Sequence, residues 1–189
     1  MKTGKFIVIT GIDGSGKDFV VGHLKSTDPD AIIIKTPTEP FIPARLHVDE
    51  FALEVPIAHY YFYLASVIHA SNLVEKALGR GNVYCVRYLL DTVVYHRAMG
   101  LSIELEYETA LYRIQKPDCT FFLTVDDERV RQNRLKSRGK ITVGDKIVNQ
   151  EKLRRAILEE YGRYSNEYIQ INNCDRDITD VAADIRKWM

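Results

Sequence analysis

Long apolar runs, excess charge of either sign, cysteine pairs and internal repeats are all missing from this 189-residue chain. No uninterrupted apolar stretch approaches the roughly 20 residues needed to cross a bilayer. The apolar run near the N-terminus is too short for a secretory signal. The 26 lysines and arginines match 26 aspartates and glutamates. The molecule as a whole therefore has no attraction for nucleic acid or an acidic membrane, and any anion site must be a local cluster of cations. Cys85, Cys119 and Cys174 are odd in number and far apart. That excludes a disulfide framework and fits reduced core residues of a cytoplasmic protein. Prolines number six, and no linker or low-complexity tract interrupts the chain, so one domain spanning 1–189 is expected.

What the chain does have is alternation. Strands are expected at Phe6 to Thr10, Ala31 to Lys35, Val83 to Arg87, Thr120 to Val125 and Tyr168 to Asn172. They are nearly all apolar, as strands covered on two faces must be, and helix-length segments separate them. The pattern predicts an α/β fold with a five-stranded parallel sheet and helices on both faces. Val55 to Leu78 has no proline after Pro56 and no glycine before Gly79, so it predicts one long helix. Asp126-Asp127-Glu128 opens another with the negative charge a helix N-terminus favours, and a last helix is expected over Ile178 to Trp188. The mixed, charged segment from Gly139 to Asn149 reads as a mobile loop.

Directly after the first strand stands Gly11-Ile12-Asp13-Gly14-Ser15-Gly16-Lys17. The spacing G-x-x-x-x-G-K between a strand and a helix is that of a phosphate-binding loop. Its glycines let successive N–H groups turn toward one point, and the helix that follows adds positive potential. Lys17 is placed to reach the β- and γ-phosphates of a nucleoside triphosphate. The next position departs from the rule. A hydroxyl normally follows the lysine and ligates Mg²⁺, but here the residue is Asp18.

Taken in order, further pieces show a resemblance. Glu39-Pro40 follows the second strand, and Arg87-Tyr88 follows the third. Asp91 to Tyr95, Pro117-Asp118 and an arginine-rich segment ending at Arg138-Gly139 come next. With the Gly11 to Lys17 loop, these make the chain resemble, over nearly its whole length, the thymidylate kinase family of P-loop nucleoside monophosphate kinases. The resemblance implies phosphoryl transfer from ATP, with Mg²⁺, to a nucleoside monophosphate, dTMP foremost. In that light Gly11, Asp13, Gly14, Ser15, Gly16, Lys17 and Asp18 hold the triphosphate. Arg87 and Arg45 contact the acceptor phosphate, Asp13 its sugar, Tyr63 its base, and Glu39 and Tyr95 complete the acceptor pocket. Arg129, Arg131, Arg134, Lys136, Arg138 and Lys140 resemble a lid over about 134–150. Gly14 leaves the phosphate loop without an arginine of its own, so Arg134 and Arg138 are the expected transition-state cations. The resemblance also implies a homodimer formed through helices, with small nucleotides as the other partners.

Each residue also has a plainer reading. Arg87 suits a surface ion pair, Asp13 a turn, Tyr63 the core, and the basic cluster a solvated face. Three positions depart from the family. Asp18 replaces the metal-ligating hydroxyl, Val86 replaces an aspartate before Arg87, and Val67 replaces an arginine that contacts the base. A carboxylate lost at 86 and gained at 18 suggests relocated metal ligation at Asp18. Val67 puts thymine selectivity in question; His69 and His96 could supply other donors, though each better suits a satisfied or exposed histidine. A kinase acting on a nucleoside or another small metabolite, and a non-catalytic nucleotide-binding protein, are the competing functions.

Overall fold

In the computed structural model, which describes residues 4–139 and 149–189, the five apolar runs form one sheet. The strands are β1 (Phe6–Thr10), β2 (Ile32–Lys35), β3 (Val83–Val86), β4 (Cys119–Thr124) and β5 (Ile169–Asn172). Their order is β2-β3-β1-β4-β5, and every neighbouring pair is parallel. The helices among the described residues are α1 (Lys17–Ser26), α2 (Ile42–Glu50), α3 (Pro56–Ala77), α4 (Leu89–Ala98), α5 (Glu128–Ser137), α6 (Glu151–Arg163) and α7 (Ile178–Arg186). Each expected strand and helix is present, with its ends shifted by a few residues at most. Residues 140–148, which hold most of the expected mobile loop and most of the expected lid, including Lys140, lie outside the described residues.

Alternation along the strands sorts the core into two layers, because successive side chains point to opposite faces. Phe6, Val8, Val83 and Cys85 pack with Leu64, Val67, Ala70 and Val74 of α3 and with Val93 of α4. Ile7, Ile9, Tyr84 and Val86 pack with Val20, Val21 and Leu24 of α1 and with Val181 and Ile185 of α7. Val67 is thus a core residue of α3 with no exposed surface. Its expected place in the base pocket is corrected: it faces the sheet. The cysteine expectation needs a partial correction too, since Cys85 is buried but Cys119 and Cys174 are partly exposed.

All five strands point their C-terminal ends the same way. Adjacent strands β1 and β3 are followed by helices on opposite faces, α1 on one and α4 on the other. That divergence opens a crevice at the carboxyl edge of the sheet, where ligands of open α/β sheets bind. No described helix is long and apolar enough to cross a membrane.

Candidate active site

The crevice is a cleft of about 1240 Å³, above the roughly 300–1,000 Å³ that encloses one drug-sized ligand. It has room for two nucleotides end to end. Seven cationic side chains line it (Lys17, Lys35, Arg45, Arg87, Arg134, Arg138 and Arg176) against four carboxylates (Asp13, Asp18, Asp49 and Asp91). A protein without net charge therefore carries a local cation cluster suited to polyanions.

At one end of the cleft the phosphate loop bends from Thr10 into α1. Gly14 and Gly16 both have φ of +89°, a left-handed conformation that side chains rarely adopt. Space demands glycine as well. A Cβ on Gly14 would lie 2.7 Å from Arg131 Cγ, and one on Gly16 would lie 2.6 Å from Asn173 Nδ2. The Lys17 ammonium donates to the Gly11 and Ile12 carbonyls at 2.8 and 2.9 Å. Asn173, just past β5, donates to the Ser15 carbonyl at 2.7 Å and braces the loop from behind.

The arginines of α5 divide by role. Arg131 is fully buried, bonding Glu128 through Nε and Nη2 and the Asp13 carbonyl through Nη1 at 2.9 Å. It is a brace for the loop, which corrects its grouping with the lid. Arg134 donates from Nη2 to the Asn173 carbonyl at 2.8 Å, while its Nη1 is buried with no hydrogen-bond partner. That Nη1 would lie 3.7 Å from a Cβ on Gly16. A buried donor without an acceptor is costly, and here it faces phosphate-loop space. Arg138 also lines the cleft.

Arg87 joins the two ends. Its backbone is left-handed, φ +63°, an uncommon conformation for a non-glycine residue and one that clusters at functional sites. Nη2 bonds Asp13 Oδ1 at 2.6 Å, Nη1 lies 3.4 Å from Asp91 Oδ1, and the guanidinium sits 5.2 Å from the centre of the Tyr95 ring. Burial pushes the Asp13 carboxyl up, but Arg87 and Lys17 outweigh it and hold the group at about 2. Asp91 also accepts from the Thr10 and Tyr161 hydroxyls and from the Tyr88 N–H, so its carboxylate is committed to structure.

At the far end stand Arg45 and Asp49 of α2, Tyr63, Tyr95, His96 and Met99. The Tyr63 hydroxyl donates to Asp49 Oδ1 at 2.8 Å, and Arg45 Nε reaches Asp49 Oδ2 at 3.2 Å. Both His96 ring nitrogens are engaged inside the protein, which makes it the satisfied histidine of its plainer reading and not a base donor. His69 bonds Thr38 and does not line the cleft. Glu39 is exposed in the single turn before α2 and also lies outside the cleft lining, so its place in the acceptor pocket is not supported. Asp18 lines the cleft and is ion-paired with Lys35.

Asp49, His59, Lys35 and Asn173 were not singled out from the sequence. Lys35 and Asn173 share one signal, a polar residue at or just past the C-terminal end of a parallel strand. Asp49 and His59 carry no such mark.

The sequence family described as thymidylate kinase matches residues 9–185. A probable thymidylate kinase of Archaeoglobus fulgidus is 25% identical, with 96% of this chain and 92% of that protein covered. A thymidylate kinase of Desulfotalea psychrophila is 28% identical, covering 93% and 92%. Among solved structures, the thymidylate kinase of Candida albicans superposes with a TM-score of 0.68 at 18% identity, over 97% of this chain and 90% of that one. A deoxyadenosine kinase from M. mycoides, solved with bound dATP, superposes with a TM-score of 0.67 at 17% identity, over 96% and 97%.

Proposed function

As the chain belongs to the thymidylate kinase family, we propose that its cleft transfers the γ-phosphoryl group of ATP to dTMP, giving dTDP and ADP. The observation that carries this reading is Arg134 Nη1, a buried cationic donor without a partner, poised above the phosphate loop. A phosphate oxygen of dTMP attacks the γ-phosphorus, and the bond from that phosphorus to the β-phosphate oxygen breaks. The attacking phosphate is already anionic at neutral pH, so no general base is needed. Catalysis is then positioning and charge neutralisation. Lys17 leaves the loop carbonyls for the β- and γ-phosphates, Arg87 and Arg45 hold the acceptor phosphate, and Arg134 with Arg138 neutralises the moving phosphoryl group. Tyr63 and Tyr95 give the acceptor base its aromatic walls.

A nucleoside acceptor would need a carboxylate base beside its hydroxyl. The family's usual position is Val86, and Asp91 is bonded on all sides. Release of ADP with thymidine and with dTMP tests the choice: turnover is expected with dTMP alone, and turnover with thymidine would overturn it.

Mg²⁺ fits the donor set near the loop. This ion keeps several waters and binds mainly substrate phosphates plus one or two carboxylates. Asp18 opens the first turn of α1 with an exposed carboxylate. Val86 faces α1 as well, and Lys35 pairs in register with it. A carboxylate at 18 therefore serves the same corner of the cleft as one at 86. Asp18 would hold Mg²⁺, and the ion would offset the negative charge of the substrate phosphates. Asp18→Ala should raise the Mg²⁺ concentration for half-maximal rate about tenfold, the loss of one charge-assisted ligand, while Asp18→Ser retains most of the affinity. Unchanged metal dependence in Asp18→Ala would remove the assignment.

The homodimer and cytoplasmic setting also belong to this reading. Exposed Ile42, Leu46, Leu53, Ile57 and Tyr61 on and between α2 and α3 supply an apolar face. Sedimentation at micromolar concentration should give twice 21.7 kDa; the monomer mass would contradict it.

A further inference from the structure

Behind Arg87, buried oxygens from three elements meet. They are the Thr10 hydroxyl at the end of β1, the Asp91 carboxylate in the first turn of α4, and the Tyr161 hydroxyl on α6. None of these residues is more than 4% exposed. Thr10 donates to Asp91 Oδ1 at 2.6 Å, and Tyr161 donates to the same oxygen at 3.0 Å. Burial and the neighbouring carboxylate push the Tyr161 phenol well above its ordinary value, so it keeps its hydrogen. Its ring rests against Phe122 of β4, centroids 4.4 Å apart, which fixes where the hydroxyl points. The other Asp91 oxygen takes the Tyr88 N–H at 3.0 Å. Neither Thr10 nor Tyr161 lines the cleft, so neither touches substrate.

What the two hydroxyls change is the grip of Asp91 on Arg87. A carboxylate oxygen offers about two lone-pair directions, and on Oδ1 hydroxyls take both. Arg87 Nη1 stands 3.4 Å from that oxygen, well beyond the roughly 2.7–2.9 Å of a charge-assisted bond. Through Nη2 the same guanidinium closes to 2.6 Å on Asp13, so it is able to pair tightly when an oxygen is open to it. We propose that Thr10 and Tyr161 are positioning residues that occupy Asp91 and so keep Arg87 Nη1 available to the acceptor phosphate. With a lone pair of Oδ1 open, Asp91 would draw Nη1 into a second tight ion pair. Arg87 would then be locked between two carboxylates, and an incoming phosphate would have to displace one. Opening a buried ion pair leaves its carboxylate uncompensated, which is costly. The hydroxyls give Asp91 neutral partners instead.

This inference rests on the reading of Arg87 as an acceptor-phosphate residue, and the test separates the two. Tyr161→Phe removes one hydroxyl and keeps the ring. In its crystal structure without ligands, Nη1 should close on Asp91 Oδ1 from 3.4 Å to about 2.8 Å. By isothermal calorimetry without ATP, dTMP should bind about tenfold more weakly, the cost of breaking one charge-assisted bond. KM for dTMP should rise equally, with kcat and KM for ATP within about twofold. Thr10→Val removes the other hydroxyl, should act in the same way, and serves if Tyr161→Phe folds poorly. Adding Asp91→Asn distinguishes this role from a merely structural one. The amide can still accept from the Tyr88 N–H and donate to the Thr10 oxygen, but it does not attract Arg87. The double variant should therefore bind dTMP within about threefold of wild type, whereas loss of a structural brace would only be compounded. A gap that stays at 3.4 Å, unchanged dTMP binding, or a double variant weaker than Tyr161→Phe would each overturn the inference. A closed gap with no dTMP bound by the wild type would uphold the pull of Asp91 and count against dTMP as the acceptor.

Discussion

Replacing Arg87 with methionine is expected to damage catalysis and stability together. The acceptor kcat/KM should fall about 10³-fold, the scale on which removing a preorganised cation acts on a developing phosphate charge. Stability should fall by about 3 kcal/mol, because the half-buried Asp13 carboxylate loses its closest cation. Acid sensitivity separates these effects. The folded Asp13 carboxyl sits at about 2 against an ordinary 3.8. It therefore stabilises the fold above pH 3.8, and that contribution, about 2 kcal/mol, drains away as pH falls from 3.8 toward 2. In Arg87→Met the burial that pushes Asp13 up loses its main opponent, so acid unfolding should begin at higher pH. Urea titrations at several pH values check both. A variant that keeps wild-type acid stability would show that Arg87 and Asp13 are not coupled as their 2.6 Å contact requires.

Arg134→Ala should separate what Arg87→Met combines. One bond to the Asn173 carbonyl is lost, so stability should drop by only about 1 kcal/mol. The kcat should fall about 10³-fold, the low end of what an arginine over a transferring phosphoryl group contributes. KM for ATP should move by no more than a few-fold, since the interaction belongs to the transition state. Steady-state rates with ATP and dTMP, beside thermal melts, measure all three. A normal kcat would reduce Arg134 to a tether of Asn173.

The difference between Arg134 and Arg131 also shows where sequence reasoning stops. Both lie on α5 in the same basic run, and helical spacing puts them on one face. Only tertiary packing tells that the Arg131 stem fills the space beside Gly14 while one Arg134 nitrogen is left facing the phosphate loop. The strands were readable because two-sided burial demands continuous apolar runs, and the phosphate loop because its geometry needs glycines at fixed spacing. Val67 was misplaced because aligning a motif on a long helix fixes the helix but not which face meets the ligand. His59 and His96 are 37 residues apart and each looks ordinary alone. They touch only where α2, α3 and α4 meet around Asp49. Asp18 was noticed as an exception, but its pairing with Lys35 depends on β2 lying beside β3.

Phosphorus-31 NMR of a mixture of the protein, ATP, Mg²⁺ and dTMP follows every phosphate of the proposed reaction at once. The account predicts that the dTMP resonance declines as those of dTDP and ADP rise in equal amounts, and that Arg134→Ala slows both together. ATP that is bound but not consumed, or consumed without dTDP forming, would contradict it.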